Sequence, residues 1–342
     1  MIVTLSVPRA TLDVAVRVGL RFAGIVAFAT STVGFQLPAT QICHVDEGGQ
    51  ETSVAVPDAE AERVLSVTAS YPGPCETAGP QAVLGEVTVR AFVQLQDDGT
   101  PFALGIRFPD SAFESLPSEP ADGYRCLDLN EDRDIDVGAE CVGGHERVLF
   151  LPRVWDDSVG PPFRWALFNW NPAGHGPPGV WDVAHFDFHF FIQSLADRSR
   201  IRIGRCAMLV DCDDLEVGTR PVPAPYLPSG YEDRGVVEFG MGNHLIDPAT
   251  FGGPSDPPTH TLIYGAWGGR ISFLEPMVTM RFLQAISDGS QPSRCYPVPR
   301  AQDVEEPGYY PTVYCIRRRP NRGEFVISLE GFELRSLPDR VR

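Results

Sequence analysis

EVTVRAFVQLQDDGTPFALGIRF (86–108) reads as a β-hairpin, and the rest of the chain reads like it. Its first run alternates apolar and polar residues with the period of a strand, turns at Asp97-Asp98-Gly99, and returns through PFALGIRF (101–108). RVLFLP (147–152), FRWALFNW (163–170) and VAHFDFHFF (183–191) read as further strands. TLIYGAW (261–267) and RISFLE (270–275) flank Gly268-Gly269, which suits a tight primed turn. A last hairpin joins TVYCIRRR (312–319) to EFVISL (324–329) through Pro-Asn-Arg-Gly. Helical periodicity is confined to IQSLADRSRIR (192–202) and MVTMRFLQAI (277–286). The expected fold is mainly β, a sandwich or barrel of antiparallel strands with a few short helices.

Composition narrows the function. All 28 basic residues are arginine, so Schiff-base and phosphate-loop lysine chemistry are excluded. A formal charge of -17 repels nucleic acid and anionic lipid, which argues against both as partners. Arg9, Arg17 and Arg21 precede FAGIVAFA (22–29), the pattern of a secretory signal with cleavage near Ala29. That run is short of the ~20 apolar residues of a spanning helix, so the mature chain is expected to lack a membrane span. Residues 30–84 are punctuated by Pro and Gly and are expected to be irregular, except around ERVLSVTAS (62–70). Residues 85–342 are expected to form one β domain.

Eight cysteines fall in four local couples, Cys43/Cys75, Cys126/Cys141, Cys206/Cys212 and Cys295/Cys315, with no Cys-x-x-Cys. Sequential disulfides in a secreted or periplasmic protein are the natural reading, although eight cysteines allow ~105 pairings.

The chemistry concentrates in GHGPPGVWDVAHFDFHFF (174–191). On a strand, His185, Asp187 and His189 share one face while Phe186, Phe188 and Phe190 share the other. Strand positions two apart lie ~6.6–6.8 Å from each other and can converge on one ion, whereas positions four apart, at ~13 Å, cannot. The expected arrangement is therefore two adjacent members of the set joined by ligands from elsewhere, with His244 of GMGNHL and Glu275 of SFLEPM as contributors. Glu275 is placed on the side of its strand that carries Phe273 and Ile271. His175 sits in a rigid Pro/Gly turn, where capping of backbone carbonyls competes with ligation. The competing reading of the triplet is a hydrogen-bonded His/Asp ladder. Zinc, iron, manganese and copper all suit such donors. His260, after Pro257-Pro258, reads as a surface residue.

The order of WNPAGHGPPGVW (170–181), AHFDFHFF (184–191), GMGNHL (240–245) and TLIYGAWGGRISFLEPMVT (261–279) resembles an uncharacterised bacterial family of exported, mostly β proteins, a Thermus-type domain of unknown function. The resemblance covers roughly 85–330 and implies His175, His185, Asp187, His189, His244 and Glu275 as the shared polar positions. Ala184 stands where the family has proline, Phe191 where it has tyrosine, and Leu245 where an aromatic is common. The family's activity is not established, so the resemblance strengthens the site and leaves its reaction open.

CLDLNEDRDIDVGAEC (126–141) places Asp128, Asn130, Asp132, Asp134 and Asp136 at alternating positions, as in a calcium loop. Arg133 replaces the turn glycine and Glu140 falls one residue late, so a solvated acidic turn clamped by Cys126 and Cys141 competes with calcium binding. Arg317-Arg318-Arg319 reads as a charged edge strand. The tryptophans near the motifs read as core or cavity lining rather than as a sugar platform. Two functions follow: an exported protein with a His/Asp/Glu metal site, or a non-catalytic envelope binding or assembly protein in which the cluster is structural. Either is compatible with a homo-oligomer and an unspecified small-molecule ligand.

Overall fold

The structure, a computed structural model, describes residues 39–338 except 177, 178, 254 and 256. The expected signal at 1–29 lies outside the described residues.

Two antiparallel sheets stack face to face. One has six strands, in the order Arg294–Pro297, Val313–Arg319, Glu324–Glu330, Pro101–Pro109, Val87–Leu95 and Glu76–Leu84. The other has seven, in the order Glu232–Glu238, Gly242–Ile246, His260–Trp267, Arg270–Thr279, His185–Phe191, Trp165–Asn171 and His145–Phe150. Neither order closes on itself, so the sandwich alternative holds and the barrel does not. The hairpin at 86–108 lies in the six-stranded sheet and sends Val87, Val89, Ala91 and Val93 inward with Leu104, Ile106 and Phe108. Phe108 meets Phe168, Phe186 and Phe188 of the opposite sheet at 5.5 to 5.9 Å between ring centres, which puts the main core between the layers.

Because Phe186, Phe188 and Phe190 face this core, His185, Asp187 and His189 point out of the far side of the seven-stranded sheet. That side is not solvent. Trp165, Leu167, Val180, Trp181, Phe191, Met241, Ile246, Ile263, Phe273 and Met277 form a second apolar cluster there. A polar site is thus embedded in an apolar layer, which explains a strand whose seven residues are all buried.

Several expectations need correction. Residues 39–84 are not irregular: strands Ala39–Val45, Glu51–Pro57 and Tyr71–Pro72 form a small sheet, Asp58–Val67 is a helix, and Glu76–Leu84 joins the main sheet. The helix expected at 192–202 is a single turn, Leu195–Arg198. At 277–286 the strand continues to Thr279, whose side chain accepts from Phe282 N and starts the helix Met280–Ser287. Ile271 is not on the face of Phe273 and Glu275. The register shifts between Gly265 and Ala266, so Phe273 joins the outer cluster while Ile271 packs on the inner core. His260 is partly buried against Tyr296 and Tyr314.

The three arginines are not an edge either. Arg318 pairs with Asp110 at 2.7 Å, and Arg319, 8% exposed, pairs with Glu76 and Glu324 and lies over the Tyr71 ring. Among the described residues, no helix is long and apolar enough to cross a membrane.

The four sequential cysteine couples are the four disulfides, Cys43–Cys75, Cys126–Cys141, Cys206–Cys212 and Cys295–Cys315. The four bridges differ in depth. Cys43 and Cys315 are buried, whereas Cys212 is exposed and opens the short surface helix Cys212–Gly218. Asp211 caps that helix by accepting from Asp213 N. The Cys206–Cys212 bridge, spanning a separation of only 6 residues, ties the end of the short strand Ile203–Cys206 to this helix start. Cys295 is also exposed, but its partner Cys315 lies on a buried strand, so that bridge ties an edge strand to the sheet.

Candidate metal centre

All six sequence-selected donors lie on the outer face of the seven-stranded sheet, and they divide into two groups of three. His175, His185 and Asp187 form one, and His189, His244 and Glu275 the other. The separation follows from strand geometry: His185 and His189, four residues apart, fall in different groups, as the ~13 Å spacing requires.

In the first group, His185 donates through Nδ1 to Val183 O at 2.7 Å, and His175 through Nδ1 to Gly176 O at 2.9 Å. A carbonyl only accepts, so each Nδ1 carries a proton, and in its neutral form each imidazole presents an Nε2 lone pair. Those two Nε2 atoms are 3.0 Å apart. Asp187 Oδ1 lies 3.3 Å from His185 Nε2, and Oδ2 lies 3.4 Å from His175 Nε2. Two lone pairs and a carboxylate so close repel one another unless a cation sits among them. Bonds of ~2.0–2.1 Å to one ion place its ligand atoms roughly 2.9–3.4 Å apart, the spacing found here. A proton is the competing cation. Burial pushes the His175 imidazole down, but the hydrogen bond and charge of Asp187 outweigh this and raise it to about 9. Burial likewise pushes Asp187 up, and the neighbouring histidines hold it well below the carboxylate range.

The neighbouring strand orients the carboxylate. Asn171 Nδ2 donates to Asp187 Oδ2 at 2.7 Å and Asn169 Nδ2 to the same oxygen at 3.5 Å. Both follow from the register Asn171↔His185 and Asn169↔Asp187. Such supporting hydrogen bonds fix a ligand's direction. Trp181 stands edge-on to His185 at 5.2 Å and closes one side.

The second group is looser. His189 Nε2 lies 3.3 Å from Glu275 Oε1 and His244 Nε2 lies 3.9 Å from Oε2. Burial pushes the His189 and His244 imidazoles down. Burial, then the charges of Asp187 and Glu238, push the Glu275 carboxyl well up. Without a cation, burial thus favours the neutral forms of both imidazoles and of the acid. Asp187 Oδ1, Glu275 Oε2 and His189 Nδ1 are buried with no hydrogen-bond partner among the described residues. Orphaned buried polar atoms cost ~1–3 kcal/mol each, and metal ligation removes that cost for the two carboxylate oxygens. The donor sets therefore fit a divalent transition metal, with two imidazoles and one carboxylate in each group.

Four donors are sealed, since His185, Asp187, His189 and Glu275 are at most 2% exposed. The side chains of His175 and His244 are 24% and 14% exposed and are the members that reach outward. Beside them lies Glu238, 6% exposed, which the sequence reading missed. Burial raises its carboxyl, but Arg125 and then His244 and His175 outweigh this and lower it. Arg125 Nη2 is 3.1 Å from Glu238 Oε1, and the same guanidinium pairs with Glu146. Asn169 and Asn171 sit at the spacing of Leu167 on one face, but their contact with Asp187 depends on the register with the neighbouring strand. Nothing local distinguishes Glu238 from other glutamates.

The acidic loop is elsewhere and differently built. Glu140, 3% exposed, accepts from Leu129 N at 2.6 Å, Asn130 N at 3.3 Å and Asp136 N at 3.0 Å. Asn130, Asp132 and Asp134 accept from the backbone N–H one or two residues onward, Asp136 caps Gly138 N, and Asp128 accepts from Arg133 N. The loop is thus organised by its own carboxylates and the Cys126–Cys141 disulfide.

No protein-family model matches the chain, and neither the curated proteins nor the solved structures contain a match to it.

Proposed function

We propose that the chain is an exported metalloprotein whose two triads each hold a divalent transition-metal ion, with activation of metal-bound water as its chemistry. The observation that carries this reading is the pair of Nε2 atoms facing each other at 3.0 Å beside Asp187, with both Nδ1 atoms committed to backbone carbonyls. Three protein ligands per ion leave open coordination positions, the pattern of catalytic sites; structural zinc takes four. Glu238, kept ionised by Arg125 and placed beside His175 and His244, is the candidate proton acceptor. Asp187 and Glu275 are committed as ligands. Four disulfides support an oxidising compartment. The order of the motifs supports grouping the chain with the Thermus-type family, a grouping we propose on the motifs alone.

The test is a calorimetric titration of metal-free protein with Zn2+. Two equivalents are expected to bind, falling to one in His185→Ala and one in Glu275→Gln. Absence of binding by the folded wild-type chain contradicts the proposal. The burial of four donors favours a second reading, in which the ions only hold the outer layer together. Because any ion that binds only the folded chain stabilises it, the two readings separate on turnover: the second requires that the loaded protein show no metal-dependent hydrolysis of esters or amides, and a catalytic centre requires that it does.

A further inference from the structure

A cavity of about 250 Å³ opens directly over the two accessible histidines. Its polar end consists of His175, His244 and Glu238, and its body of Met208, Val236, Ile246, Phe251, Ile263 and Met277, with Arg234 also in the wall. None of the sequence motifs called for such a cavity. A dry apolar cavity of ~150 Å³ is enough to hold benzene, so this one has room for a ring with a short alkyl arm. Thioether and branched side chains line it, a surface that adapts to an apolar body without directional demands.

The chemistry of the polar end selects the other half of the ligand. One divalent ion on two neutral imidazoles and one carboxylate keeps a net positive charge and an open position. Glu238 adds no free negative charge, because Arg125 and Arg198 together balance Glu238 and Glu146. The complement is a hard anionic oxygen donor, and an apolar wall on the same cavity asks for it to be carried on a hydrocarbon.

We propose that this cavity binds a small aryl- or alkyl-substituted carboxylic acid, its hydrocarbon among Met208, Ile246, Ile263 and Met277 and its carboxylate turned to the His175/His244 end. This rests on the metal reading above, since the carboxylate needs a cation to meet. In a hydrolytic reaction such an acid is the product, so esters or amides of the same acids are the corresponding substrate class.

The probe is 3-phenylpropionate, titrated into zinc-loaded full-length protein whose metal content is measured on the same sample. Saturable binding is expected, weakened at least tenfold when propionate replaces it and at least tenfold when 2-phenylethanol does. Val236→Trp, at a half-exposed position in the cavity wall, is expected to weaken binding at least tenfold with metal content unchanged. Met208→Trp serves as the second filling variant should the first not fold. Full metal content with no binding, or equal binding by propionate, overturns the cavity assignment and leaves the metal centre standing. Absence of metal from correctly folded protein overturns both. Equal binding to metal-free and metal-loaded protein overturns the carboxylate assignment.

Discussion

Asp187 shows how much one side chain depends on its neighbours. It is buried at 2% exposure, and one of its oxygens accepts from both Asn171 and Asn169. Asn171→Ala is expected to leave the fold intact and weaken zinc binding by about 10- to 100-fold, measured by competition with a chromophoric chelator. Unchanged affinity would show that the asparagine does not orient the ligand. His185, Asp187 and His189 were legible from their spacing alone, because a period of two is visible in any strand. Asn171 was not, because an asparagine before Pro172 reads as a turn residue and its role depends on the register with another strand. Gly265 shows the same limit. A Cβ there would lie 2.2 Å from the Phe273 ring, which itself packs against His189 and His244. Gly265→Ala is therefore expected to destabilise the protein by ~1–3 kcal/mol in denaturant unfolding, and a neutral result would show that Phe273 can move aside.

The strand His185–Phe191 was readable as an element but not as a buried one on both faces. Its phenyl rings announced the core, and Phe188→Ala is expected to cost ~3–5 kcal/mol, read from the urea midpoint. The covering of the opposite face comes from outside the strand, from Trp181 in the turn just before it and from Met241 far beyond it, whose place over this face no local pattern announces. The run 277–286 failed for another reason. A continuous apolar stretch fits a buried strand and a helix equally well, and the switch at Thr279 is made by its side-chain cap on Phe282 N. The strand His260–Trp267 carries a pH-dependent contribution of its own. Burial depresses His260 to about 4, beside Tyr314 at 2.9 Å and under Tyr296. The unfolded chain takes up that proton near pH ~6.5, so stability is full above this value and falls as pH drops toward 4. The wild type is expected to lose on the order of 2 kcal/mol more than His260→Gln between pH 7 and pH 4.5, in urea unfolding at each pH. Equal losses would show that His260 titrates normally in the folded chain.

At the scale of the molecule, hairpin signals and alternation were enough for an antiparallel sandwich, and the cysteine couples were enough for its disulfides. What the couples could not tell was which bridges hold the core: Cys212 sits at a surface helix start, and only the fold distinguishes it from Cys43. The small N-terminal sheet was hidden because its edge strand Glu51–Pro57 is largely exposed and Tyr71–Pro72 is only two residues long, and its attachment is made by contacts from far along the chain. Gln94 Nε2 donates to Pro72 O and Pro74 O, and Arg319 lies 4.6 Å from the Tyr71 ring centre. The Cys43–Cys75 bridge closes a 32-residue separation across this unit. Removing it in Cys43→Ala/Cys75→Ala is expected to lower the unfolding free energy by roughly 3–4 kcal/mol, the loop-closure value for that length. No loss would show that the small sheet is held by its other contacts alone. The central claim concerns metal, and the most direct measurement is elemental mass spectrometry of the mature protein, exported to a periplasm and purified without chelator or histidine tag. The expected result is at least one transition-metal ion per chain, approaching two after reconstitution, and lost in a His185→Ala/His244→Ala double variant that still folds. A folded wild-type chain that holds no transition metal even after reconstitution would contradict it.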